Sequence, residues 1–458
     1  MGEAGAGERG FGHNSRLPSP TVADLKPPVN LIDLYCGSRA RGIRLRGSTA
    51  LLLAGLLAVG ATKAAPAPTQ SWVQSWTAAP QSVSDHPNAP SFDRSPPIDH
   101  QTVRQIIYSR LAGDRVRIQV SNRFGHAPLA IAQTHIALSR STAALEPNTD
   151  RAVTFGGNPS VVIAPGADIE SDPVSLAVTA GGGLAVSFFI DSEQKPSTWH
   201  KLSSQVNYLS TKGNYVSDLG ATPFRGHFTS YLWLAGLLVD PPANTRSYAV
   251  VAIGDSITDG MRSTLNANRR WPDILARTLA GSGIAVVNQG ISGNRLLSDS
   301  PCYGERLVGR FDADALSRQG VRAVVVLEGI NDINFAATPP REGLDCDFPH
   351  TKVSETDLIN GYRGLIFAAH ARDIRIVGAT LTPASLPPAR EAIRVAVNRW
   401  IRTSGAFDAV VDFDAALRDP AHPDALLPAY DSNDHIHPSD AGYAEMARQV
   451  TLHELDGG

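Results

Sequence analysis

The chain has 458 residues, enough for two or three domains, and its 42% hydrophobic and 19% charged residues give a globular rather than a disordered composition. Lys and Arg number 41 against 44 Asp and Glu, a net charge of −3 that removes the electrostatic basis for a nucleic-acid partner. Three cysteines are too few for a disulfide-built scaffold or a four-thiolate zinc site.

Residues 1–38 are rich in Gly, Pro and polar residues without a sustained period, and read as a disordered or mis-assigned leader. Arg39, Arg41, Arg44 and Arg46 follow, then an uncharged run, Gly47–Thr62, centred on Leu51, Leu52, Leu53, Leu56 and Leu57, then small residues and Pro at Ala64–Pro68. That order predicts a secretory signal peptide over 39–67 and hence a secreted or periplasmic protein. At 16 residues the run is shorter than the ~20 a spanning helix needs, so no stable membrane insertion is expected after cleavage; an uncleaved anchor is the alternative.

Residues 71–243 read as an all-β, sandwich-like accessory domain. Arg115–Val120 alternates polar and apolar, the period of a half-buried strand, and Leu184–Ile190 is a short run of β-formers. Turn clusters at Ser121–Gly125, Gly156–Pro159, Pro165–Ala167 and Gly181–Gly183 divide such runs. Trp72, Trp76, Trp199 and Trp233 fit either a sugar-stacking platform or core packing. Pro241–Asn244 reads as a linker.

From Ser247 the pattern becomes alternating strands and helices. Tyr248–Ile253 is a continuous apolar run, as expected of a parallel strand covered on both faces, and Ile284–Val287, Ala323–Leu327, Ile374–Gly378 and Ala409–Val411 are further strands. Helices are predicted over Trp271–Ala280, Glu355–Arg372 and Ala389–Thr403, with a closing helix capped by Ser439 and running to about Leu452. Residues 247–458 are therefore expected to form a three-layer α/β/α sandwich on a mostly parallel five-stranded sheet, with its site beyond the C-terminal strand ends.

Those strand ends carry the chemistry. The first runs into Gly254-Asp255-Ser256, placing a hydroxyl on the strand-to-helix turn, but position 258 is Thr, so this is not the G-x-S-x-G elbow. The second ends in Asn288–Asn294, whose Gly293 lets backbone approach a ligand. The third ends in Glu328-Gly329-Ile330-Asn331-Asp332, where the Asn side chain can donate to a developing oxyanion. Asp434 and His437 lie at i, i+3, so the carboxylate can fix the imidazole tautomer. A metal site at Asp434, His435 and His437 is the competing use of that segment, though it lacks a remote ligand in sequence.

In this order the four blocks resemble the SGNH (GDSL-type) hydrolase superfamily over about residues 247–452. The opening of the β-rich half, Ser71–Gln81, is similar to the domain preceding that module in some secreted bacterial GDSL esterases. The resemblance implies Ser256 as nucleophile, His437 as general base and Asp434 as its orienting acid. It implies an oxyanion hole of the Ser256 and Gly293 N–H groups and the Asn331 side chain. No cofactor and no metal is required. The expected activity is hydrolysis of a small-molecule or polysaccharide ester through an acyl-enzyme, with short acyl (acetyl) groups on carbohydrate preferred. A lysophospholipase, lipase or thioesterase would use the same site with a larger apolar pocket, and a non-catalytic carbohydrate-binding surface protein is the alternative of another class. Cys302 and Cys346 remain after the leader is removed, in loops on the same side of the sheet, and are expected to form a disulfide.

Overall fold

The computed structural model describes residues 72–457, so the leader over 1–38 and the signal peptide over 39–67 lie outside the described residues. The first part is built of antiparallel strands: β1 (Val73–Thr77), β2 (Gln101–Tyr108), β3 (Gly113–Ser121), β4 (Gln133–Ser141), β5 (Asp168–Glu170), β6 (Val174–Val178), β7 (Gly183–Ile190), β8 (Asn207–Lys212), β9 (Phe224–Phe228) and β10 (Leu234–Asp240). One sheet has the order β1-β10-β3-β5, with β6 also on β3, and the other runs β9-β8-β2-β7-β4. On β3 the expected alternation holds: Val116, Ile118 and Val120 are buried. They share a core with Val103, Ile107, Val186 and Phe188 of the second sheet.

The tryptophans do not make a platform. Trp76, Trp199 and Trp233 are buried. Trp76 packs edge-on against Tyr231 at 4.8 Å. Trp72, half-buried, lies under the Arg117 guanidinium at 4.7 Å.

After an exposed turn at Pro241–Asn244 the second part begins. Its strands are β11 (Tyr248–Gly254), β12 (Ile284–Gly290), β13 (Val321–Leu327), β14 (Arg375–Ala379) and β15 (Ala409–Val411), and its main helices α1 (Ser256–Asp259), α2 (Trp271–Thr278), α3 (Leu307–Phe311), α4 (Ile330–Phe335), α5 (Glu355–His370), α6 (Pro388–Thr403), α7 (Phe413–Leu417) and α8 (Asp440–Gln449). The sheet is parallel with order β12-β11-β13-β14-β15. Every residue of β11 is buried, as its continuous apolar run requires. The chain reverses direction across the sheet at the β11/β13 crevice, where ligands bind in open α/β sheets.

The closing helix differs from expectation. Ser439 caps α8 by accepting from the Gly442 N–H, but α8 ends at Gln449 and a separate turn, Leu452–Asp456, follows. Thr451 and Glu454 form a reciprocal capping box there, which starts a new helix instead of continuing the old one.

The two parts are packed together. A single hydrophobic cluster runs through both. The Gln74 N–H on β1 donates to the Gln319 C=O at 2.9 Å, and the Thr77 hydroxyl donates to the Asn288 C=O at 2.9 Å. Asp273 on α2 is buried between Arg270 and Arg110, the latter from the β-rich part. Burial pushes its carboxyl up most strongly, but the two guanidiniums outweigh that and hold it below the usual range.

Candidate active site

Ser256 opens α1. Asp255 caps that helix by accepting the Ile257 N–H at 2.9 Å, and Gly260, left-handed at φ 96°, closes it by donating to the Ser256 C=O. The serine is thus held at the mouth of the crevice, 5% exposed. Its Oγ lies 2.8 Å from His437 Nε2. His437 Nδ1 lies 2.8 Å from Asp434 Oδ2, and Asp434 Oδ1 accepts the backbone N–H groups of Ile436 and His437 at 3.1 and 2.8 Å. With Nδ1–H donated to the carboxylate, Nε2 is the acceptor facing the serine hydroxyl. Desolvation works against ionisation of Asp434, yet the bonds from the His437 backbone and ring hold it well below the usual carboxylate range. Arg262, which nothing in the motif indicated, adds its Nε–H to Asp434 Oδ2 at 2.9 Å.

His435 has its own partner. It is exposed, left-handed at φ 65°, and its Nδ1 lies 2.7 Å from Asp431. The rings of His435 and His437 are therefore engaged by different carboxylates, which argues against a shared ligand set.

The second and third strand ends converge on the same crevice. Gly254 pairs with Gly290 of β12 and Leu327 of β13, so the three strands end level. Gly290 is needed because a Cβ there would sit 2.2 Å from the Asp259 backbone nitrogen of α1. Gly293 occupies φ +81° in a turn closed by the Asn294 N–H on the Ile291 C=O, a position that requires glycine. Asn331 lies in the first turn of α4, not on the strand end itself. One of its two N–H groups donates to the Asn294 C=O at 2.9 Å and fixes the amide plane; the other is the donor an oxyanion would use.

Residues distant in sequence brace this arrangement. Arg310 on α3 is buried and donates to the C=O of Gly254 and Gln289 and to the Asn294 side chain at 2.9–3.1 Å. Asp259 Oδ2 accepts both the N–H and the hydroxyl of Ser292, while its Oδ1 lies 3.1 Å from His200 of the β-rich part. Behind the serine, Asp255, Glu328 and Asp332 are buried together, and desolvation foremost pushes all three carboxyls up, Asp332 to about 6. Cys302 and Cys346 are joined by a disulfide with Cα atoms 5.0 Å apart, linking the loops after Gly293 and Asn331.

Residues 252–445 match the family described as GDSL-like lipase/acylhydrolase. The chain carries a domain of that family. It is an ester-hydrolysing serine hydrolase, and the matched span contains Ser256, Gly293, Asn331, Asp434 and His437. No curated protein matches the chain. Among solved structures, it is similar to an acetyl xylan esterase variant from Geobacillus stearothermophilus, at 24% identity over 46% of this chain and 95% of that one, with a TM-score of 0.35. A GDSL-like lipase from Bacteroides thetaiotaomicron matches at 20% identity over 46% and 89%, with a TM-score of 0.32. A lipolytic G-D-S-L family protein from Veillonella parvula matches at 16% over 44% and 96%, also at 0.32.

Proposed function

We propose that Ser256 is the nucleophile of an exported esterase, with His437 as general base and Asp434 as its orienting acid. The observation that carries this is the unbroken chain from Ser256 Oγ to His437 Nε2 and from Nδ1 to Asp434, each link 2.8 Å. Oγ attacks the ester carbonyl while its proton passes to Nε2. The carbonyl oxygen becomes an oxyanion facing the Ser256 and Gly293 N–H groups and the Asn331 amide. Collapse expels the alcohol, protonated by the imidazolium, and leaves an acyl-serine. Water, deprotonated by His437, then hydrolyses that intermediate and releases the acid. The basic, apolar and small-residue segments over 39–67 support export.

For the substrate, export and the accompanying β-rich part favour acetyl or other short acyl groups on carbohydrate. An apolar cavity that reaches Met261 and Ser292 beside the catalytic loops supports an ester with an apolar limb. Ser256→Ala is expected to keep its circular dichroism spectrum and lose turnover of p-nitrophenyl acetate. Turnover at the wild-type rate in the folded variant would remove the mechanism.

A further inference from the structure

A cavity of about 450 Å³ opens where the β-rich part meets the loops around Ser256, a volume within the range of small-molecule sites. Met261, Ser292 and Tyr303 form its catalytic side. Each is tied to the reacting centre. The Met261 N–H donates to the Ser256 C=O at 2.9 Å. Ser292 precedes Gly293, and the Tyr303 ring lies so close over Gly293 that a Cβ there would be 2.4 Å from it. The remaining wall comes from the β-rich part, chiefly Phe92, Trp199, Leu202 and Phe228, with Arg94 and Lys201 among them.

The charged groups of that wall, and several of its neutral ones, are already committed. Arg94 donates to the C=O of Ala89 and Pro87 at 2.6 and 3.4 Å. The Lys201 ammonium pairs with Asp93 at 3.2 Å, donates to the Cys302 C=O, and lies over the rings of Phe92 and Tyr303 at 5.3 and 4.9 Å. The Trp199 indole N–H donates to the Ser82 C=O, and the Ser230 hydroxyl to the Lys201 C=O. Apart from the hydroxyls of Ser91, Thr229 and Tyr303, ring faces and hydrocarbon remain to meet an occupant. A sugar would surrender hydroxyl bonds to water for little return, whereas an apolar group gains by leaving water.

We propose that this cavity holds the apolar limb of the ester, so that the β-rich part, rather than the GDSL domain, sets substrate preference. The proposal rests on Ser256 being the nucleophile. Either side of the ester can carry the limb, and two substrate arms separate the cases. One arm is p-nitrophenyl esters from acetate to decanoate. The other is acetates of alcohols from methanol to phenylpropanol.

In one arm kcat/KM is expected to rise about fourfold per buried methylene until the cavity fills. Phe92 is 56% exposed, so Phe92→Ala is expected to fold, and it should lower the longest-to-shortest kcat/KM ratio in that arm about tenfold. Thr229→Trp, at the exposed rim, should flatten the same series by filling the space. Ratios unchanged in both variants overturn the proposal, as does a wild-type preference for the smallest limb in both arms or for acetylated xylan over every apolar ester. Those results leave the nucleophile untouched; persistent turnover in Ser256→Ala would instead strike the underlying reading.

Discussion

Replacing both Cys302 and Cys346 with Ser removes a cross-link between residues 44 apart in sequence. In the chain-entropy treatment a loop of that span restricts the unfolded chain by about 13 cal/mol/K, about 4 kcal/mol at 25 °C. Unfolding entropy of ~2.1 cal/mol/K per residue, taken over the whole described fold, then converts the loss to a fall in Tm of about 5 °C. The native loops have other ties. The Ser300 hydroxyl donates to the Cys346 C=O at 2.6 Å, and Arg295 donates to the C=O of Asp347, Phe348 and Pro349. The effect should therefore fall on the unfolded chain, with kcat at 25 °C changed less than about threefold. Differential scanning calorimetry of the double variant beside the wild type, with ester turnover on the same samples, checks both halves. A Tm shift below ~1 °C would refute the entropic argument. A collapse of kcat in still-folded protein would show that the bridge shapes the site directly.

Asn331→Ala should lower kcat by about 10²–10³ with KM little changed, because one oxyanion donor is worth about 2.7–4 kcal/mol; steady-state kinetics showing less than a threefold loss would make it a turn residue. Asp434→Asn should lower kcat by removing the carboxylate from His437 Nδ1, while His435→Ala should leave kcat within about twofold; the reverse order in the same assay would move the base by two residues. Asp255→Asn should flatten the pH dependence of stability. A carboxyl whose folded pKa is raised contributes stability that is present below its ordinary range near 4 and is lost as pH rises through the raised value. The Tm difference between wild type and variant should thus move in the variant's favour from pH 4 to 8, and a constant difference across that span would contradict the burial argument.

Much of the GDSL domain was legible because its signals are local. A parallel strand covered on both faces must be apolar throughout, and Tyr248–Ile253, Ile284–Val287 and Ala323–Leu327 are. Ser256, Gly293 and Asn331 follow those strands directly, so strand order alone brings them to one edge. The Asp434–His437 spacing is equally local. The bracing residues left no such trace. Arg310 reaches Gly254 across 56 positions and His200 reaches Asp259 across 59, and nothing near either residue indicates its partner. The tryptophans show the same limit from the other side. Composition admits a platform or a core, and only the folded packing shows Trp76, Trp199 and Trp233 buried. The break after Gln449 was readable, since Thr451 and Glu454 have capping-box spacing inside what otherwise looks like one helix.

The proposed mechanism requires Ser256 to form a covalent bond to the substrate's acyl carbon. A fluorophosphonate probe reports on that step directly, because it phosphonylates a serine only where a neighbouring base activates the hydroxyl. Intact mass spectrometry should find one adduct per chain, and peptide mapping should place it on Ser256. His437→Ala should slow labelling by orders of magnitude. An adduct on another serine, or ester turnover that persists in protein labelled to completion, would contradict the central claim.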